Sequence, residues 1–207
     1  MTRLVGIYLF DDVEILDFAG PLEVFFTASR VKSRLEPNTP KLFEVITLAE
    51  KDQMIDARGG LTIQPKFTIS NHPEIDILII PGGIVTAELE NRALIDWIAK
   101  TANTAAITAS VCTGSFLLGK AGLLNGKSAT THWEDIQDMR SMFPDVDVLA
   151  EKRWVDTGSI VTSAGISAGI DMSLHLVSRL ENEDLARRTA RQMDFDWQQS
   201  SSINLVQ

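Results

Sequence analysis

The stretch Ile107–Gly119, ITASVCTGSFLLG, holds the only cysteine of the chain, Cys112. An apolar run leads into it, and the small residues Ser110 and Gly114 stand two places to either side. A nucleophile on a sharp strand-to-helix turn needs this spacing, because the turn folds the flanking backbone onto itself and leaves no room for large side chains there. The free N–H groups at the start of a following helix favour a thiolate over a thiol, and the thiolate is the nucleophile. Without that context a free cysteine is more simply a small buried hydrophobe. Charge developing on an attacked group also needs donors. Pro81-Gly82-Gly83 closes another apolar run, and glycine lets a backbone N–H approach closely. The N–H groups of Gly83 and Thr113 are the expected pair, although Gly-Gly after a strand is by itself read as a tight turn.

Such a site needs a scaffold of strands ending at one edge. Short apolar runs at Arg3–Leu9, Phe43–Leu48, Asp76–Ile80 and Thr104–Ala109 read as strands. Lys127–Thr131 reads as another. Arg153–Val155 and Ile160–Ser163 read as a hairpin around Thr157-Gly158, and Arg58-Gly59-Gly60 as a turn between short strands. Helices are expected at Leu22–Val31 behind Pro21, at Asn91–Thr101, at Thr113–Ala121 with Gly122 as its stop, and at Trp133–Met142 before Pro144. Ile166–Leu180 and Glu183–Met193 have amphipathic helical spacing. Apolar strands alternating with helices imply an α/β three-layer sandwich, a mainly parallel sheet with helices on both faces. Ligands then bind at the carboxyl ends of the strands, where Cys112 and Gly83 fall. No repeat or linker divides residues 1–207, so one domain is expected, with 198–207 as a loose polar tail.

Composition narrows the function classes. The chain has 207 residues and a formal net charge of −9, which disfavours direct binding to nucleic acid or anionic membrane. One cysteine cannot form an internal disulfide, which suits a reducing cytoplasm. The start MTRLVGIYLFDD lacks a secretory pattern, and no apolar run approaches the ~20 residues of a membrane helix. No Cys/His/carboxylate grouping has metal-ligand spacing, so no metal and no cofactor is expected. Gly114–Lys120 has the spacing of a phosphate-binding loop, but Ala121 stands where a magnesium-binding hydroxyl belongs. His132-Trp133-Glu134 has a His-x-Glu pattern; His132 is expected as a pocket wall more than as a base. His72 and His175 are expected to be structural. Trp133 and Trp154 could wall a pocket, though core packing is the simpler reading.

The segments VGIYLF (5–10), LDFAGPLEVF (16–25), IDILIIPGG (75–83), ASVCTGSFLLGKAGLLNGKSATTHW (109–133) and IVTSAGISAGIDMSLHLV (160–177) resemble the DJ-1/PfpI family, within the class I glutamine amidotransferase-like superfamily of flavodoxin-like folds. Within it the chain most resembles the isonitrile (isocyanide) hydratases. It is also similar to the amidase-like domain of AraC-type regulators. The resemblance implies Cys112 as nucleophile, Asp17 as its acidic partner, and Thr113 as a hydroxyl where some relatives carry histidine. Glu23, one turn into the helix, is the alternative carboxylate. An acid buried beside the thiol should have a raised pKa and could hand over a proton. An isocyanide carbon accepts a nucleophile and then needs that proton; water completes the route to a formamide. The pocket expected from the residues comprises Gly82, Gly83 and His132. The implied partners are a small-molecule substrate and a second copy of the chain. Ile84-Val85-Thr86 is bulkier than expected for a hydratase, which could reshape the pocket. Two other readings stand beside this one: a non-catalytic ligand-binding module of the regulator type, and a DJ-1-like protein of carbonyl or oxidative stress, whose exposed low-pKa thiol would oxidise readily.

Overall fold

The structure is a computed structural model, and it describes residues 1–201. Its strands are β1 (Arg3–Tyr8), β2 (Phe43–Ala49), β3 (Ile55–Ala57), β4 (Leu61–Ile63), β5 (Phe67–Thr68), β6 (Ile77–Ile80), β7 (Ile107–Val111), β8 (Ser128–Ala129), β9 (Asp147–Val148), β10 (Trp154–Asp156) and β11 (Ile160–Ser163). Its helices are α1 (Ile15–Leu35), α2 (Thr86–Glu90), α3 (Arg92–Ala102), α4 (Gly114–Lys120), α5 (Ile136–Met142), α6 (Ala168–Leu180) and α7 (Glu183–Gln192). Seven strands form the main sheet in the order β10-β11-β7-β6-β1-β2-β5. All neighbours pair in parallel except β10 with β11. The central strands read as continuous apolar runs because helices cover both faces; Ile77–Ile80 and Ile107–Val111 are buried at every position. Helices α1, α6 and α7 pack together as one layer, and α2, α3 and α4 as the other. This is the flavodoxin-like α/β arrangement expected from the sequence.

The first helix differs from its expected extent. It begins at Ile15, not at Pro21, which lies inside it. The ring removes one bond, that to the carbonyl of Asp17, and burial of Phe18, Val24 and Phe25 offsets the loss. The early start carries Asp17 into the first helical turn, under the sheet edge, and not into a loop. Strand β7 runs to Val111, past the expected Ala109, so Cys112 follows it directly. Trp133–Met142 is a 3₁₀ turn (Trp133–Asp135) followed by α5. Gly114–Lys120 is a helix with Phe116, Leu117 and Leu118 buried, unsuited to cradling phosphate.

The described part of the C-terminal tail is not loose. Arg153 N–H donates to the Ser201 carbonyl, and Gln198 N–H donates to Asp171 Oδ1 at 2.8 Å. Residues 202–207 of the expected loose tail lie outside the described residues. Asp171 is fully buried and is also held by the Arg153 guanidinium, whose Nε lies 2.8 Å from Oδ2. The same arginine's carbonyl accepts from Ala164 N–H, next to the backbone that anchors Cys112. Removing the guanidinium leaves a buried carboxylate without its counter-charge. Arg153→Ala is therefore expected to cost about 3 kcal/mol and to lower Tm by roughly 6–12 °C in a thermal melt. An unchanged Tm contradicts this account of the clasp.

Candidate active site

Cys112 sits where β7 gives way to α4, with φ +56°. A side chain in the left-handed region is strained and persists only where its surroundings fix it. They do so from both sides. Its N–H donates to the carbonyls of Ser163 (3.2 Å) and Ala164 (3.3 Å). Its carbonyl accepts from Ser115 Oγ and from Thr131 Oγ1, each at 3.0 Å, and from Ser115 N–H at 3.3 Å. Gly114 has to be glycine here, since a Cβ would fall 2.1 Å from the Ile80 carbonyl oxygen. Gly114 thus has the steric reason anticipated for it.

Asp17 rises from the first turn of α1 to the same point. It is fully buried. Its Oδ2 accepts the Gly82 N–H at 3.0 Å, and its Oδ1 has no hydrogen-bond partner among the described residues. Burial pushes its pKa up to about 7; the Gly82 N–H opposes this, the Glu14 charge adds to it, and the neighbouring Cys112 thiol and Arg58 oppose it. The thiol acts on the carboxyl as a hydrogen-bonding neighbour, and Oδ1 is left without a partner among the described residues. Glu23 points elsewhere, accepting from Thr27 Oγ1 at 2.8 Å.

The thiol is not depressed, as the helix start alone suggested. Burial and then the Asp17 charge push it up to about 12. The Thr113 N–H and hydroxyl act the other way, and Asp135 adds a further rise. Helix α4 is a short one of 7 residues. Its partial charge does not offset the loss of water together with a carboxylate alongside.

The expected donor pair is altered as well. Gly83 N–H is occupied by Thr113 Oγ1 at 2.9 Å, and that hydroxyl lies 3.0 Å from the Gly83 carbonyl. Gly82 N–H is spent on Asp17. Of the two anticipated N–H groups only that of Thr113 is turned to the sulfur. Gly82 matters for its lack of a side chain: a Cβ there would sit 2.5 Å from Thr113 Oγ1 and 3.0 Å from Asp17 Oδ2.

Cys112 is 8% exposed and opens onto a cleft of about 370 Å³ with Gly83, Thr113 and His132. His132 packs its ring over Gly165. Its Nδ1 lies 3.5 Å from Asp135 Oδ2 and 3.6 Å from Glu134 Oε2. The histidine therefore walls the cleft with one nitrogen turned to carboxylates. Sequence reasoning missed Glu14, Arg58, Asp135 and Ile166, which complete the lining. Arg58 and Glu14 pair at 3.2 Å across the mouth. Arg58 lay in the Arg-Gly-Gly turn, Asp135 in the expected Trp133–Met142 helix and Ile166 at the start of the expected Ile166–Leu180 helix, but nothing local ties these segments to Cys112. Trp133 is 73% exposed, and Trp154 is buried against His175 with ring centroids 5.4 Å apart, so neither walls this cleft. His175 also pairs with Asp156, and His72 accepts from Trp97 Nε1.

A parallel α/β sheet with a lone cysteine on a strained turn at its carboxyl edge and an acid beneath it defines a class of protein, and comparison places the chain within it. The DJ-1/PfpI family model matches residues 3–179, and the chain belongs to that family. It is 33% identical over 198 residues to an isonitrile hydratase of Pseudomonas putida, covering 94% of this chain and 79% of that one. It is 29% identical over 182 residues to an HTH-type transcriptional regulator of Pseudomonas aeruginosa, covering 88% of this chain and 48% of the regulator, about half its length. Among solved structures, a ThiJ/PfpI family protein from Pseudomonas syringae superposes with a TM-score of 0.82 at 25% identity, over 96% of this chain and 77% of that one. Drosophila melanogaster DJ-1beta shares the fold, with a TM-score of 0.78 at 18% identity over 95% of this chain and 100% of that one.

The Asp17 charge is one of the causes holding the thiol up, and it can be removed without removing bulk. In Asp17→Asn, the pH midpoint for alkylation of Cys112 is expected to fall from about 12 toward the ordinary thiol value, stopping above it because burial persists. An unchanged midpoint in iodoacetamide rates measured against pH contradicts the assignment.

Proposed function

We propose that the chain is a cysteine-dependent enzyme that adds water to a small neutral electrophile, with an isocyanide as substrate and an N-substituted formamide as product. The observation that carries this reading is the buried Asp17 carboxyl, one oxygen unpartnered, beside the lone thiol on a strained turn open to a cleft. The likeness to an isonitrile hydratase over most of both chains supports the choice of substrate.

The chemistry follows from how the pair holds protons. Below about pH 7 both Asp17 and Cys112 are protonated. Between about 7 and about 12 the pair carries one proton, which the two groups share. In that state Asp17 takes the thiol proton as Sγ bonds to the isocyanide carbon, and then gives the proton to the same carbon. The bound species is a thioimidate, R–N=CH–S–Cys112. Water next attacks that carbon; the C–S bond breaks, the thiol regains its proton, and the released R–N=CH–OH tautomerises to R–NH–CHO. One water is consumed and nothing is oxidised or reduced. Thr113 N–H steadies charge on sulfur, and His132 bounds the cleft. A reducing cytoplasm would keep the thiol in working form, and the site would be used by a pair of chains as the family resemblance implies.

A second reading, a regulator-type module that binds a ligand without turnover, is favoured by the likeness to the HTH-type regulator. A peroxide sensor is disfavoured, since a thiol raised to about 12 oxidises slowly at neutral pH.

Formamide release from an alkyl isocyanide decides between them. Wild type is expected to turn over, Cys112→Ala to lose activity entirely, and Asp17→Asn to lose roughly 10²–10⁴-fold, the usual weight of a general acid–base group. kcat/KM is expected to rise with pH through about 7, as the pair gives up its first proton. Binding without turnover, or equal turnover by Cys112→Ala, overturns the enzymatic reading.

A further inference from the structure

A second hollow adjoins the Cys112 cleft and shares two residues with it. Its volume is about 460 Å³, and Val85, Leu89, Phe116 and Met142 supply its apolar surface. Thr113 and Asp135 line both spaces and form the ridge between them. The floor is fixed, with Val85 8% and Phe116 5% exposed, whereas Met142 stands 50% exposed at the rim. Phe116 is braced by Phe143, with centroids 5.9 Å apart. An apolar hollow next to a reactive group, across a ridge that both share, is the form that a substituent subsite takes.

Charge narrows what can enter. Glu14, Glu134, Asp135 and Asp138 stand around the two spaces. Among the described lining residues the guanidinium is that of Arg58, already paired with Glu14, and the ring of His132 faces Glu134 and Asp135. An anionic group would be repelled on entry and, among the described lining residues, would meet no guanidinium or ammonium that is not already paired. The other large hollow at this sheet edge, about 620 Å³, is lined by Asp11, Asp12, Glu50, Glu88 and Glu90 and does not include Cys112 or Thr113.

We infer that the hollow between α2 and α5 is a specificity subsite: it takes an uncharged apolar substituent of the substrate whose reactive carbon is presented to Cys112. This rests on the proposed reading only for the identity of the electrophile, because any group delivered to the thiol would carry its substituent across the same ridge. Val85 comes from Ile84-Val85-Thr86, the segment whose bulk set it apart in the sequence, and here it forms part of the subsite floor.

The single cysteine makes the test direct, since mass added to a thiol, located by peptide mapping, reports one site. Wild type is alkylated with iodoacetamide, with its N-hexyl derivative, and with an N-(ω-carboxyalkyl) derivative of matching length. Each rate is divided by that reagent's rate with glutathione. The hexyl reagent is expected to gain roughly tenfold over iodoacetamide, as burial of a few methylenes would give, and the carboxylate reagent to gain nothing. Met142→Asp is expected to erase the hexyl advantage, each variant being compared with its own iodoacetamide rate. Leu89→Ala should weaken the advantage, and covers the case in which the charged variant folds poorly. Equal normalised rates for the three reagents, or an advantage untouched by both variants, overturns the subsite. A hexyl advantage without isocyanide turnover overturns the hydratase reading and leaves the subsite standing. Turnover without any substituent preference does the reverse.

Discussion

Asp17 is fully buried and Cys112 is 8% exposed beside it, and neither can take its ordinary charge there without raising the energy of the other. Burial lifts both pKa values, and each group's charge then acts on its neighbour through a medium that screens poorly. The outcome is a pair that holds one proton over a wide range around and above neutral pH. That proton can be moved between two atoms without exchange with solvent. The reactivity proposed here comes from this shared proton and not from a thiolate held by the start of α4.

The scaffold works to keep the pair together. The parallel sheet brings the carboxyl ends of β1, β6 and β7 to one edge, and α1 begins early enough to turn Asp17 beneath it. Gly82 and Gly114 let two backbone segments and the Asp17 carboxyl approach within distances that any side chain would forbid. The hydroxyls of Ser115 and Thr131 hold the Cys112 carbonyl and so secure a backbone conformation that the residue would not adopt alone. Even the C-terminal segment contributes, because Arg153 ties Ser201 and Asp171 to the backbone that receives the Cys112 N–H. The thiol is strained, buried and still open to a cleft because independent elements each fix one of these properties.

Much of this was legible in the sequence wherever the signal is local. The apolar runs of β1, β6 and β7 mark buried parallel strands, and small residues around Cys112 mark a turn that tolerates nothing larger. The start of α1 was misplaced because Pro21 is a local helix-start signal, and tertiary burial of Phe18, Val24 and Phe25 overrode it. The two-residue strands β5 and β9 exist through long-range pairing and leave no periodicity to detect, whereas β8 lies inside the expected Lys127–Thr131 strand. Arg58, Asp135 and Ile166 reach the cleft from segments distant in sequence, so no spacing pattern could assemble them. The pKa of the thiol was misjudged for the same reason: the helix start is visible in sequence, whereas the depth of burial and the approach of a carboxylate are not.

The account depends on where the Asp17 proton resides, and infrared spectroscopy reads it directly. The protonated-carboxyl stretch of Asp17, isolated as the difference between wild type and Asp17→Asn, is predicted to fade with a midpoint near pH 7. A carboxyl already ionised with a midpoint near the ordinary ~3.9 of aspartate would contradict the shared-proton site and the chemistry built on it.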